Sequence, residues 1–111
     1  MCGLFGAIGE VGAVSERLER ALFTLQHRGP DQWNSYADNS VYLGHTRLSI
    51  NDLSENGKQP MRAENDDVVI CVNGEVYNFL KLKEVLSKHY CFKGRSDSEV
   101  ILYGYIEWGI E

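Results

Sequence analysis

The residue of this chain best suited to covalent chemistry is its second. The chain opens Met1-Cys2-Gly3-Leu4-Phe5-Gly6, and removal of the initiator methionine, which a small second side chain permits, makes Cys2 N-terminal. Cys2 then carries a nucleophile and a base on one carbon skeleton. A free thiol titrates near ~8.5 and an α-amino group near ~7.7–8.0, so at neutral pH the amine can take the thiol proton, directly or through a water. A nucleophile placed this way activates itself without a separate histidine. Four further clusters follow it: His27-Arg28-Gly29-Pro30-Asp31, Gly44-His45-Thr46-Arg47-Leu48-Ser49-Ile50, Val72-Asn73-Gly74-Glu75-Val76-Tyr77-Asn78 and Ser96-Asp97-Ser98-Glu99-Val100-Ile101.

The elements that must position these clusters fit one small α+β unit. From 111 residues, 43% of them hydrophobic, a single globular domain is expected. The net charge of −5 comes from scattered Asp and Glu with no basic block, which argues against nucleic acid and anionic membranes as partners. No apolar run approaches the ~20 residues of a membrane helix, and the N-terminus lacks the basic and apolar segments of a signal peptide. Cys2, Cys71 and Cys91 are an odd, widely spaced set. They suit a reducing cytoplasm better than a disulfide framework or a metal site.

Gly3–Ile8 reads as a short buried strand ending at Gly9. From Val14 onward, Leu18, Ala21, Leu22 and Leu25 share a helical face with it, and Arg28-Gly29-Pro30 reads as the stop, with Gly29 as a left-handed cap. Residues 35–37 and 41–43 flank Asp38-Asn39-Ser40 as a hairpin, its second strand continuing through His45 and Arg47 to Leu48. Residues 51–60 read as an ordered polar loop, and 68–72, an unbroken β-branched run, as a central strand. Phe79, Leu82, Val85 and Leu86 mark a second helix, followed by a short strand at 90–92. Ser96-Asp97-Ser98-Glu99 is a capping signal for a third helix that runs to Trp108 and stops at Gly109. That helix is apolar nearly all round and calls for cover on more than one side.

In order and spacing, Met1-Cys2-Gly3 and the four clusters resemble the glutaminase domain of glutamine-hydrolysing asparagine synthetases, which are class II glutamine amidotransferases. The wording Arg-Gly-Pro-Asp and His-Thr-Arg-Leu-Ser-Ile-Asn-Asp-Leu-Ser is similar to that branch. It does not match the glucosamine-6-phosphate synthase or phosphoribosyl-pyrophosphate amidotransferase branches. The resemblance implies an N-terminal-nucleophile αββα sandwich of four layers. It also implies hydrolysis of the L-glutamine side-chain amide to glutamate and ammonia.

Carried over residue by residue, the resemblance makes Cys2 the nucleophile, with the Asn73 amide and the Gly74 N–H as the oxyanion hole. Arg47 holds the substrate carboxylate through a two-pronged contact. Glu75 and Asp97 fix its ammonium, and Leu48 and Ile50 line the glutamine site. Plainer readings stand beside these. Arg47 can be a surface ion pair, Asn73-Gly74 a two-residue hairpin turn, and Asp97 or Ser96 a helix cap. A catalytic triad from His27, His45 or His89 is rejected, because an N-terminal cysteine brings its own base and the first two histidines lie in motifs of structural role. Cys71 and Cys91 read as small core residues. Tyr77, Phe79, Tyr103, Tyr105 and Trp108 also read as core.

In the full-length family enzyme the ammonia passes to a synthetase domain, where aspartate activated by ATP receives it. This chain has no Ser-Gly-Gly loop, so ATP and magnesium are expected only in that domain, and no cofactor or metal here. Residues 1–111 read as the N-terminal part of a longer glutaminase domain. A poorly supported scaffold is expected to turn glutamine over inefficiently. The expected partners are L-glutamine and the synthetase domain, and the resemblance allows a homodimer of the full-length enzyme. Two rival readings remain open. One is a non-catalytic remnant binding glutamine or a partner chain. The other is an amidotransferase of the same family with a different ammonia acceptor.

Overall fold

The turn at Asp38-Asn39-Ser40 organises the first half of the chain. In the computed structural model, which describes residues 1–49, 54–63 and 68–111, strands β2 (Gln32–Ala37) and β3 (Val41–Arg47) flank this turn and pair antiparallel. The Asp38 carboxylate closes it, accepting from the Ser40 N–H at 2.7 Å and the Val41 N–H at 2.8 Å, as aspartate does in turns. Strand β1 (Gly3–Ile8) pairs antiparallel along the other edge of β3, giving the order β1-β3-β2. The central strand carries one of the chemistry-bearing clusters.

Side chains alternate along β3, so Tyr42, Gly44 and Thr46 face one way and Leu43, His45 and Arg47 the other. Helix α1 (Ser15–Phe23) covers the first face: Leu22 is fully buried and lies against Gly44. Edge-on ring contacts between Phe5 and Tyr42 (5.9 Å) and between Phe23 and Trp33 (4.6 Å) complete that layer. The second face meets a two-stranded antiparallel sheet of β4 (Met61–Arg62) and β5 (Val69–Ile70). The Arg62 guanidinium lies 6.0 Å from the centre of the Tyr36 ring, and the Cys71 thiol approaches the Gly44 carbonyl at 3.8 Å.

Helices α2 (Phe79–Leu86) and α3 (Glu99–Trp108) close the far side of the second sheet. The apolar cluster there joins Met61, Ala63, Leu86, Val100, Leu102 and Tyr103. Helix α3 stops at Gly109, whose φ of +75° lies in the left-handed region that glycine accepts without strain. The layers therefore run α–β–β–α with a short second sheet, a mixed α+β architecture that fits the expected sandwich in incomplete form. No helix among the described residues is long and apolar enough to cross a membrane.

Several sequence expectations are corrected. β1 is covered on one face only: Leu4 and Ile8 point to the side the short second sheet does not reach, and Ile8 is 89% exposed. Residues 68–72 do not form a central strand. Only Val69–Ile70 is β, with a single two-residue partner among the described residues, because an apolar run marks burial but not how many strands lie beside it. Residues 90–92 are not a strand either. Tyr90 stacks on Tyr103 at 5.0 Å, Phe92 meets it edge-on at 4.9 Å, and the Tyr103 hydroxyl donates to the Cys91 carbonyl at 3.1 Å. The alternation there straddles one helical tyrosine instead of pairing in a sheet.

Cys91 itself is exposed, contrary to its reading as core. Tyr105 and Trp108 are also exposed, with Ile101 on the outward side of α3, so the cover that this helix calls for is present on one side only. Tyr77 is 92% exposed. It precedes α2 and borders a cavity described below.

Candidate active site

Cys2 sits where β1 begins and β3 ends, and its own carbonyl and the N–H of Gly3 are tied down. The Gly3 N–H donates to the Thr46 hydroxyl at 3.1 Å, and that hydroxyl donates to the Leu25 carbonyl at 3.0 Å, with Thr46 fully buried. The Arg28 Nε–H donates to the Cys2 carbonyl at 3.2 Å. The thiol lies against the backbone of Leu48, whose N–H points to Sγ at 3.4 Å while Sγ lies 3.7 Å from the Leu48 carbonyl. Cys2 is half-buried and so remains open to the cavity. Leu48 thus meets the site through its backbone.

The Arg28-Gly29-Pro30-Asp31 segment does not stop a helix. α1 ends at Phe23, and hydrogen-bonded turns carry the chain on to Gly29, which has no left-handed φ. Glycine is needed there for a close approach. A Cβ would fall on the Thr46 carbonyl and 2.5 Å from the Arg47 nitrogen. The Asp31 N–H then donates to the Arg47 carbonyl at 3.0 Å, and the Asp31 carboxylate accepts from the Ser49 N–H at 2.8 Å. This segment is a brace on the strand end that carries Arg47. Gly29→Ala is therefore expected to destabilise the chain by about 1–3 kcal/mol, since overpacking against backbone cannot be relieved by a rotamer change. Urea unfolding measures this. An unchanged midpoint would contradict the role of the close approach.

Cys2 and three of the four clusters, all but His27–Asp31, meet at one cavity of about 380 Å³, lined by Cys2, Arg47, Leu48, Asn73, Gly74, Glu75 and Asp97 together with His45, Gln59 and Ser98. That volume falls at the small end of the ~300–1,000 Å³ typical of ligand pockets. Every site residue read from the sequence within the described residues lines it; Ile50 lies outside them. Arg47 is buried and so does not lie at the surface, where the plainer reading put it. Its Nη1 donates to Gln32 Oε1 and to the Ser54 carbonyl, both at 2.8 Å.

Asn73 and Gly74 lie in an exposed stretch between β5 and α2. The hairpin reading fails: its turn needs a positive φ, and among the described residues only Gly9 and Gly109 have one. Asp97 is buried and does not cap α3. Its Oδ2 accepts from the Val76 N–H at 2.7 Å, a bond that ties the Asn73–Glu75 stretch to the start of α3. One such bond leaves a carboxylate with acceptor capacity to spare. Ser96 accepts locally, from the Ser98 N–H at 3.1 Å. Glu99, instead of completing a capping box, accepts from the N–H groups of Gly94 (2.7 Å) and Lys93 (3.1 Å).

Gln59 was not read from the sequence as a site residue. Buried, it accepts from the Val72 N–H at 2.6 Å through Oε1 and donates to the Ser98 hydroxyl at 3.5 Å through Nε2. It links the residue before Asn73 to the residue after Asp97. Nothing in a polar loop followed by Pro60 singles it out, because its partners are distant in sequence. His27 is exposed, with Nδ1 3.0 Å from the Thr24 carbonyl, and stands outside the cavity, as does His89. Cys71 is half-buried, and burial pushes its thiol pKa up to about 12, which keeps it protonated and unreactive. No group of three or more His, Cys, Asp or Glu residues arranged to hold a metal is present among the described residues.

Comparison with known proteins points to one family. A family model described as a glutamine amidotransferase domain matches residues 1–111. The chain is 43% identical over 116 residues to a probable glutamine-hydrolyzing asparagine synthetase of Schizosaccharomyces pombe, covering 98% of this chain and 20% of that protein. It is 38% identical over 114 residues to glutamine-hydrolyzing asparagine synthetase 3 of Bacillus subtilis, covering 97% of the chain and 18% of the relative. A protein of Gibberella zeae named Amidase chry2 is 41% identical over 106 residues, covering 92% and 16% respectively. The chain therefore spans at most a fifth of the length of these three curated relatives. On the match of the family model over its whole length, the chain belongs to the glutamine amidotransferase domain family.

Proposed function

We propose that this chain hydrolyses the side-chain amide of L-glutamine through Cys2. The observation that carries this reading is the shared cavity. Cys2, Arg47, Asn73, Gly74, Glu75 and Asp97 come from separate parts of the chain and line one space. With Met1 removed, the α-amine of Cys2 takes the thiol proton, and the thiolate attacks the amide carbon. Asn73 and Gly74 donate to the oxygen as it becomes negative. The carbon–nitrogen bond then breaks, and ammonia leaves with the proton the amine had taken. A water, deprotonated by the same amine, resolves the γ-glutamyl thioester to glutamate and restores the thiol. Arg47 holds the α-carboxylate, and Glu75 and Asp97 accept from the α-ammonium; Leu48 lines the same space, and the family resemblance adds Ile50 to the glutamine site.

The ammonia, on this reading, serves ATP-dependent asparagine synthesis from aspartate in a longer protein of which residues 1–111 are the N-terminal part of the glutaminase domain. The names of the Bacillus and Schizosaccharomyces relatives support that acceptor. ATP and magnesium then belong to the synthetase domain, the partner of this one. The test is the reaction itself. Glutamate and ammonia should form in equal amounts from L-glutamine, slowly in the isolated chain and faster in any longer protein that contains it. Glutamine left intact by both would contradict the reading.

A further inference from the structure

His45 is 1% exposed, and neither Nδ1 nor Nε2 has a hydrogen-bond partner among the described residues. A buried polar group left unmatched is costly, and native chains seldom keep one without a use. The surroundings of this ring are not a sealed core, because it lines the same cavity as Cys2 and Arg47. Strand register puts it there. Leu4 lies opposite His45 and Gly3 opposite Thr46, so Cys2 continues toward Arg47 and His45 is its diagonal neighbour on one face.

Two comparisons within the molecule make the exception stand out. Gln59, also buried on the cavity wall, has both ends of its amide satisfied by Val72 and Ser98. Tyr42, whose buried hydroxyl is also unpartnered among the described residues, faces α1 and does not line the cavity that holds Cys2. Among the described residues, His45 is the buried, unpaired polar side chain that borders the ligand space.

We propose that His45 is a substrate-contact residue, its imidazole hydrogen-bonding the amino-acid amide bound in this cavity. The inference takes its ligand from the glutaminase reading and its site from geometry alone. Burial is the main cause that holds the ring pKa down, at about 4. The Val72 backbone works against that without reaching hydrogen-bonding geometry, and the Arg47 charge reinforces it. The ring is thus neutral at pH 7, with one N–H donor and one acceptor nitrogen. A carboxamide offers the complementary acceptor and donor, and an uncharged ring does not compete with Arg47 for the substrate carboxylate.

The test uses the full chain with Cys2→Ala, so that L-glutamine binds without turnover. Nitrogen-resolved NMR of the histidine rings should show a His45 ring nitrogen shifting as glutamine saturates, with His27 and His89 unmoved. By calorimetry, His45→Leu should weaken glutamine binding about tenfold. Either His45→Asn or His45→Gln, which place an amide near Nδ1 or Nε2, should restore most of it and so identify the nitrogen used. Glutamine that binds with an unmoved His45 ring, or equally well to folded His45→Leu, overturns this proposal and leaves the glutaminase reading standing. Glutamine that does not bind at all overturns both. If His45→Leu fails to fold, the ring titration decides.

Discussion

Cys2→Ala is expected to abolish glutamine hydrolysis, a loss of ~10⁴-fold or more given what removing a nucleophile costs in other enzymes, while leaving the fold intact. The side chain lost is small and half-buried, and among the described residues its hydrogen-bonding partner is the Leu48 backbone. The backbone around it stays held by Thr46 and Arg28. No other thiol can take over. Cys71 is held protonated by burial and Cys91 is exposed, and neither borders the cavity. Glutamate release measured beside a urea unfolding curve separates lost chemistry from lost structure. Turnover that survives in Cys2→Ala would move the reaction to another residue.

The second large effect concerns Met1. Native protein should lack one methionine by intact mass. Chain prepared with Met1 retained should turn glutamine over at least ~10²-fold more slowly, the usual lower bound for losing a general base. The physical reason is that a peptide bond to Met1 converts the α-amine of Cys2 into an amide, which cannot accept the thiol proton. No histidine is placed to replace it in the proposed chemistry: His27 and His89 stand outside the cavity, and the neutral ring of His45 is a poor base, with a pKa near 4. Full activity with Met1 in place would require a different base.

What was legible in the sequence is what is written locally. The turn at Asp38 closes on its own neighbours, and the helix ending at Gly109 carries its stop beside it. The amphipathic spacing of Leu18 and Leu22 places α1 without reference to any distant residue. The site was legible differently, through the spacing of five motifs resembling a known family, and the cavity collects every one of their proposed site residues that is described.

The errors lie where a residue's role depends on a distant partner. Gly29 looks like a cap until β3 is seen lying on it. The apolar residues 68–72 and the alternation at 90–92 carry strand-like patterns, but whether a pattern pairs in a sheet or packs on a helix is decided by what folds beside it. Asp97 can cap by its position, yet the Val76 N–H, 21 residues away, takes its carboxylate. Gln59 and His45 gave no signal as site residues, since one is defined by two long-range bonds and the other by having no side-chain partner among the described residues.

Cys2 as nucleophile and a free α-amine beside it can be tested together in one experiment. Native protein, or a longer protein containing it, is treated with an electrophilic glutamine analogue such as a diazoketone and then mapped by peptide mass. One adduct is expected, on the thiol of Cys2, in a peptide that begins at Cys2 with an unblocked amine. An adduct on Cys71 or Cys91, or on Cys2 in a peptide that still begins at Met1, would contradict the mechanism.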